Sequence, residues 1–466
     1  MITYIKINGF KSFQKFEMEF TPLTVIAGTN ASGKSNLFDA LKLLSKLAES
    51  DLKTAFADQR GNPTELFTQL DEGLYADEME FEVHLLVNRT VKDNWGGEET
   101  LNNTRLKYRL NITRKNNNLG FEDLFIKHES LEKIRPDEDK WINKFKQARI
   151  LAKTLRAGGS REPFIQTINE GVTPAIKIRQ DGKQGGKATP ANTISQTVLG
   201  GVINVDFRHV FAVKEEMRSW KYLQLIPEDL REPSKKEPGL RDQITSSGKN
   251  LASALFRIKQ SDSYTLIEIS RELNKFLPNF TEVNIYDDIA SRQYIIKLKG
   301  EDGKEYSSRV LSDGTLRVLA LCILQFDDKH KGLLCFEEPE NGIHPLRINA
   351  MMDLLKSLTT DFSYHDLPLR QVIVNTHSPA IVNEIIKWKD DDNVSVNFSY
   401  LRTRILEISG VRKRLNITKI SPVLKHVKAQ TSLEFSEQDR KLTISTVKEY
   451  LQSVDFEKSN SIIESL

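Results

Sequence analysis

The sequence lacks any apolar run approaching the roughly 20 residues that a membrane-spanning helix needs, which excludes a helical membrane protein. Cysteine is scarce: the 466 residues hold only Cys322 and Cys335. Both sit in apolar segments, where a thiol behaves as a small hydrophobe, so neither a disulfide framework nor a zinc site is expected. A charged-then-apolar leader is missing too, since Met1-Ile-Thr-Tyr-Ile-Lys-Ile alternates like a strand; the reading is a cytoplasmic protein with no membrane partner. Strong net charge is likewise absent, at +3, while 39% hydrophobic and 28% charged residues fit a globular chain of two to three domain-sized units.

The charge is unevenly spread. Between Lys140 and Lys187 the bases Lys144, Lys146, Arg149, Lys153, Arg156, Arg161, Lys177, Arg179 and Lys183 outnumber Glu162, Glu170 and Asp181. From Arg402 to Lys428 the one acid, Glu407, faces Arg404, Arg412, Lys413, Arg414, Lys419 and Lys425.

The most informative segment is Leu23-Thr-Val-Ile-Ala followed by Gly28-Thr-Asn-Ala-Ser-Gly-Lys-Ser35 and then by apolar residues at helical spacing. Strand, G-x-x-x-x-G-K-[ST] loop and helix together form a phosphate loop. Glycines let backbone N–H groups curl around phosphates, and the helix N-terminus adds its positive dipole end. Lys34 supplies a point charge and the Ser35 hydroxyl is a magnesium ligand. The candidate nucleotide contacts are Gly28, Asn30, Ser32, Gly33, Lys34, Ser35 and Asn36.

Three further motifs follow in order. Leu311-Ser-Asp-Gly314 caps an apolar helix. Gly332-Leu-Leu-Cys-Phe-Glu-Glu-Pro-Glu-Asn-Gly-Ile-His-Pro345 is an apolar strand that ends in paired carboxylates. Gln371-Val-Ile-Val-Asn then runs into Thr376-His-Ser-Pro379. Each alone has an ordinary explanation: an N-cap, a solvated acidic strand end, a satisfied histidine.

Together and in this order they resemble the ABC-type ATPases of the SMC, RecF and OLD kind, over residues 1–115 and 245–400. The resemblance implies that Glu337 binds magnesium and that Glu338 positions or deprotonates the attacking water. It further implies that His377 senses the γ-phosphate, and that Ser312 and Gly314 contact ATP held by an opposite subunit. ATP and Mg2+ are the implied cofactors, and a homodimer closed around ATP, within a higher homo-oligomer, is the implied assembly. Where the family has aspartate this chain has Glu337, and magnesium demands near-ideal octahedral geometry, so slow hydrolysis is expected. The glutamine loop is poorly marked, with Gln59 and Gln69 as candidates.

The expected fold is α/β, a two-lobed ABC-type ATPase head with flanking helices. Lobe one takes residues 1–118, a mostly helical and basic insertion 119–245, lobe two 246–400, and a basic assembly tail 401–466. Gly158-Gly159, Gly182 and Gly185-Gly186 break any heptad pattern, so the insertion is no long coiled coil. The run Asp390-Asp391-Asp392 reads as a solvated turn, not a nuclease metal cluster. In function the chain resembles the ATPase subunits of anti-phage systems such as Septu and PARIS, which act with a separate HNH or TOPRIM nuclease. That rests on family analogy. A RecF- or SMC-like DNA repair ATPase is the alternative, and direct DNA contact stays open.

Overall fold

The computed structural model describes residues 1–116, 120–142, 162–169, 174–180, 187–191, 194–236, 242–362, 369–388, 391–408 and 411–423, with 443, 445 and 447. Two compact units emerge. The first comprises Met1–Trp220, Asp361–Leu369 and Lys389–Leu466, and the second Lys221–Thr360 and Arg370–Trp388. These limits differ from the four expected segments, whose borders follow motif positions and not packing.

The first unit is built on an antiparallel sheet. Its strand order is Lys187–Pro190, Ala175–Ile178, Ile165–Ile168, Glu122–Lys133, Arg105–Asn116, Glu78–Leu86, Ile2–Asn8 and Phe16–Glu19. Alternation explains the strands: Met79, Phe81, Val83 and Leu85 are buried, while Glu80 and Glu82 between them are not. Phe10, Phe13, Phe16, Phe20, Phe56 and Phe67 fill the interior, each burial contributing about 1.5–3 kcal/mol. A buried ion pair, Arg105 Nε to Asp139 Oδ2 at 2.7 Å, lies with the Arg105 guanidinium 5.0 Å from the Trp141 ring centroid.

A second sheet portion in this unit carries the phosphate loop. Strand Leu23–Gly28 is buried along its whole length, as its unbroken apolar run suggests. It runs parallel to Val394–Ile408, from Val394 opposite Leu23 to Ser399 opposite Gly28. Val394–Ile408 then pairs antiparallel with Val411–Pro422.

In the second unit three parallel strands lie in the order Lys221–Leu223, Gly332–Glu337 and Arg370–Thr376. The helix Asp313–Phe326 buries Leu316, Leu319, Leu321 and Ile323. A smaller antiparallel group consists of Phe280–Asp288, Gln293–Gly300, Ser234–Lys235 and Glu305–Ser307.

The α/β class agrees with expectation, and no helix among the described residues exceeds 14 residues, so a long coiled coil is absent there. Two expectations are corrected. Among the described residues of 119–245 strand outweighs helix, because four of the antiparallel strands, Glu122–Lys133 through Lys187–Pro190, fall within them. Residues 401–422 are no tail but most of a β-hairpin whose first strand borders the phosphate-loop strand. No described helix is long and apolar enough to cross a membrane. Of the basic residues between Lys140 and Lys187, Lys144, Lys146, Arg149, Lys153, Arg156, Arg161 and Lys183 lie outside the described residues, as does Lys425.

Candidate functional site: a phosphate loop and a carboxylate–histidine pair

In the first unit the buried strand delivers the chain into the loop at Gly28, φ 152°, and helix Lys34–Leu47 begins after Gly33, φ 90°. Glycine is required at both positions by conformation and by space. A Cβ on Gly28 would lie 2.5 Å from the Ser399 carbonyl oxygen, and one on Gly33 would overlap the Thr418 hydroxyl. Lys34 is buried, its Nζ donating to the carbonyls of Gly28 and Thr29 at 2.8 Å each. The ammonium is thus held inside the curl of its own loop. Ser32 Oγ is buried without a hydrogen-bond partner among the described residues. Ser35 is half-buried and Asn30 exposed.

A hydroxyl network fixes this loop from outside it. The Ser32 carbonyl accepts from Ser399 Oγ at 2.9 Å and from Thr418 Oγ1 at 3.2 Å. Thr418 Oγ1 lies 2.6 Å from Ser12 Oγ, and Asn36 Nδ2 donates to that same Ser12 oxygen at 2.7 Å. Ser12, Ser399 and Thr418 were not singled out from the sequence, for their link to the loop exists only in three dimensions. Gln59 is buried, with Nε2 donating to Ala55 O at 3.3 Å and Oε1 unpartnered among the described residues. Gln69 is exposed.

In the second unit strand Gly332–Glu337 ends on Glu337, whose Oε1 is buried and unpartnered among the described residues. Glu338 follows in a left-handed conformation, φ 49°, which turns its side chain away from the strand's alternation. Its backbone N–H donates to Asn375 O at 2.8 Å, and its Oε1 lies 2.9 Å from His377 Nδ1. The second strand and its loop therefore hold the second carboxylate from two sides. Such a carboxylate, oriented by an imidazole, can accept a proton from water.

Glu340 was quoted in the motif without a role, and it packs into the same corner. Thr376 Oγ1 donates to its Oε1 at 2.5 Å, while Oε2 is buried without a partner among the described residues. Burial pushes its carboxyl above the usual range, opposed by that hydrogen bond. The Asn375 amide oxygen is also buried and unpartnered among the described residues. No group of three or more His, Cys, Asp and Glu side chains placed to hold a metal occurs among the described residues.

The capping motif adjoins this loop. Ser312 Oγ accepts from Thr315 N at 3.3 Å and starts the helix. Asp313 is ion-paired to Arg231. Gly314 is obligatory, because a Cβ there would strike the Gly342 carbonyl oxygen, and Arg317 Nη1 donates to Asn341 O at 2.5 Å. The structure thus brings together Glu337, Glu338 and His377, and places Ser312 and Gly314 on a helix packed against the loop that follows the acids. The turn expected at Asp391-Asp392 is present, Asp391 Oδ1 accepting from Asn393 N at 2.9 Å; Asp390 lies outside the described residues. Cys322 and Cys335 are buried and unpaired, in keeping with a packing role.

The family described as AAA ATPase domain matches residues 1–382 of the chain. No curated protein matches it. Among solved structures, it is similar to an SMC head bound to the C-winged helix domain of ScpA, with a TM-score of 0.45 and 15% identity over 90% of this chain and 98% of that one. The SMC head domain from Thermotoga maritima gives a TM-score of 0.36 at 14% identity, over 91% of this chain and 98% of that chain. An SMC head with an extended coiled coil, bound to the C-terminal domain of ScpA derived from Pyrococcus furiosus, gives 0.40 at 13%, over 90% and 96%.

Proposed function

The chain belongs to the family of AAA ATPase domains, and on that premise we propose that it binds ATP through the loop Gly28–Ser35 and hydrolyses it with Glu338 and His377. The observation that carries this reading is the buried Lys34 ammonium held on the loop's own carbonyls beside the unpartnered Ser32 hydroxyl. A phosphate would take over the ammonium from those carbonyls and satisfy the hydroxyl. Backbone donors around Gly28, Asn30 and Gly33, with the N-terminus of helix Lys34–Leu47, complete an anion cradle, and Asn36 follows on its first turn.

For hydrolysis, water attacks the γ-phosphorus, the bond to the ADP oxygen breaks, and the water proton passes to Glu338, held by His377. Ser35 and Glu337 are the residues that would hold magnesium, and the unpartnered Glu337 Oε1 is an oxygen acceptor of the kind that ion takes; when bound, it neutralises phosphate charge. Glutamate at this position reaches further than aspartate, and slow turnover follows from that longer reach. Ser312 and Gly314 have no nucleotide role within their own copy in this reading. They serve the nucleotide held by a second copy, so the active form is a homodimer, in a higher homo-oligomer.

At the level of biology, the order of the motifs favours an SMC/RecF-like clamp that acts as the sensor subunit of an anti-phage system and controls a separate HNH- or TOPRIM-type nuclease. Co-expression with the product of the neighbouring reading frame tests that role: a nuclease that co-purifies and is switched by ATP supports it, and a permease or a replication protein there contradicts it. The ATP site itself is tested by nucleotide binding. Lys34→Ala should abolish binding of ATP, and retained binding would remove the assignment.

A further inference from the structure

Strands Gly332–Glu337 and Arg370–Thr376 run parallel and in register, and their last paired residues are Glu337 and Asn375. Register partners present their side chains on the same face of a sheet, so a carboxylate and an amide stand side by side at this strand end. Each carries a buried oxygen that has no hydrogen-bond partner among the described residues, Oε1 of Glu337 and Oδ1 of Asn375. Asn375 is only 5% exposed, so bulk water does not satisfy its amide oxygen. The next register pair inward on that face is Cys335 and Ile373, both buried, and neither side chain is a strong donor. Thr376, one residue further along, faces the other side of the sheet, where its hydroxyl donates to Glu340. Those two side chains are therefore occupied with each other.

Two acceptors side by side without a donor are unfavourable, because each has given up the hydration of its oxygen for nothing in return. A buried carboxylate oxygen is ordinarily paired with a base or bound to a metal. Here its neighbour is a neutral amide oxygen, which adds an electron pair without adding charge. Carboxylate and amide oxygens are the ligands that hard divalent cations take. The pair contains no thiolate or imidazole, the ligands that would select zinc.

We infer that Asn375 is a second protein ligand for a divalent cation held on Glu337, so that the two strand ends load a magnesium-type ion without nucleotide. The reading above gives Glu337 to magnesium and leaves Asn375 without a role. Magnesium keeps several waters, so two protein oxygens suffice to hold it and leave positions for phosphate. The amide also answers the glutamate that stands where aspartate is expected: a ligand from the neighbouring strand restricts where an ion carried by the longer side chain can settle. Use of that ion on ATP rests on the ATP-site reading; the cation pair does not.

The test uses the full chain free of nucleotide, with Mn2+ as the probe, read by loss of the free-ion electron paramagnetic resonance signal. The wild type should hold Mn2+ that excess Mg2+ displaces. Asn375→Leu, which keeps the side-chain volume and removes the oxygen, should weaken that binding about tenfold or more, and Glu337→Gln should weaken it too. Asn375→Asp should bind Mn2+ more tightly than the wild type, and Lys34→Ala should bind it equally well. Thermal melting separates a ligand from a packing residue. In EDTA, Asn375→Leu should melt no lower than the wild type, since an unsatisfied oxygen has gone, while Mn2+ should raise the wild-type midpoint more than the variant's. Unchanged Mn2+ affinity in Asn375→Leu would overturn the proposal and leave the two oxygens to a bridging water. A midpoint lowered equally in EDTA and in Mn2+ would also overturn it, by making the amide structural. If the wild type holds Mn2+ through Asn375 but binds no ATP, the ATP reading fails and the cation pair stands; ATP binding with no Mn2+ on the pair gives the reverse.

Discussion

Glu338 Oε1 and His377 Nδ1 lie 2.9 Å apart, and the backbone that presents this carboxylate is held at φ 49°, where an L-residue other than glycine pays a steric cost. The Glu338 N–H to Asn375 O bond at 2.8 Å pins the conformation. Strain kept in place by neighbouring strands is of the kind that clusters at functional sites. Glu338→Gly should therefore leave thermal stability close to the wild type's, because relief of about 1 kcal/mol offsets an unfolded-chain entropy gain of similar size. Phosphate release should fall by about 10²–10⁴, the usual worth of a positioned base. Differential scanning calorimetry alongside a phosphate-release assay checks both halves.

At the phosphate loop, Gly33 is fixed by its φ of 90° and by Thr418 against its Cα. Gly33→Ala should lose about 2 kcal/mol of stability together with ATP binding, from left-handed strain plus overlap. Adding Thr418→Ala should recover only part of that loss, since the hydroxyl overlap is gone while the Thr418 Cβ, 2.9 Å from the added methyl, and the dihedral angle remain. Urea unfolding of the single and double variants measures the difference; full recovery would show that Thr418 contact alone demands the glycine.

Gly314 makes a separable prediction. A Cβ there strikes the Gly342 carbonyl oxygen, so Gly314→Ala should push aside the loop after Glu338 without touching Lys34. Turnover should drop while nucleotide affinity, read by equilibrium binding at concentrations too low for two copies to pair, stays within about twofold. A matching loss of affinity would place Gly314 in the nucleotide pocket of its own copy.

His330 gives a pH dependence. Burial, then the positive charges of Arg370 and Lys221, hold its imidazole down to about 3 from an ordinary 6.5, and neither ring nitrogen has a hydrogen-bond partner among the described residues. The folded value lies below the unfolded one. Stability is thus fully present above pH 6.5 and is lost as pH falls toward 3, with a slope of up to about 1.4 kcal/mol per pH unit from this group. Denaturant midpoints measured across that window should fall less steeply in His330→Leu than in the wild type, and parallel slopes would contradict the assignment.

How much of this was legible in the sequence follows from how local each feature is. The phosphate loop is a contiguous pattern whose glycines, lysine and flanking strand and helix each answer a nearby demand, and the acid pair and histidine sit at the ends of apolar strands that announce themselves. Thr418 could not be read this way. It meets Ser32 across 386 residues, in a segment whose arginines make it look like a tail. The strand Glu122–Lys133 was hidden differently, by a register shift between Ile126 and His128 that breaks its alternation, and by Glu129, a carboxylate at a fully buried position. Glu129 is there because it accepts from the N–H groups of Val198 and Leu199 at 2.8 and 2.9 Å, partners that sequence spacing cannot supply.

In the proposed reaction Glu338 takes the proton from water during ATP hydrolysis, in a dimer closed around nucleotide. The most direct measurement is turnover of Glu338→Gln together with its mass by sedimentation with ATP. Phosphate release should fall to near background while the protein accumulates as an ATP-bound dimer or higher oligomer. Unchanged turnover would contradict it.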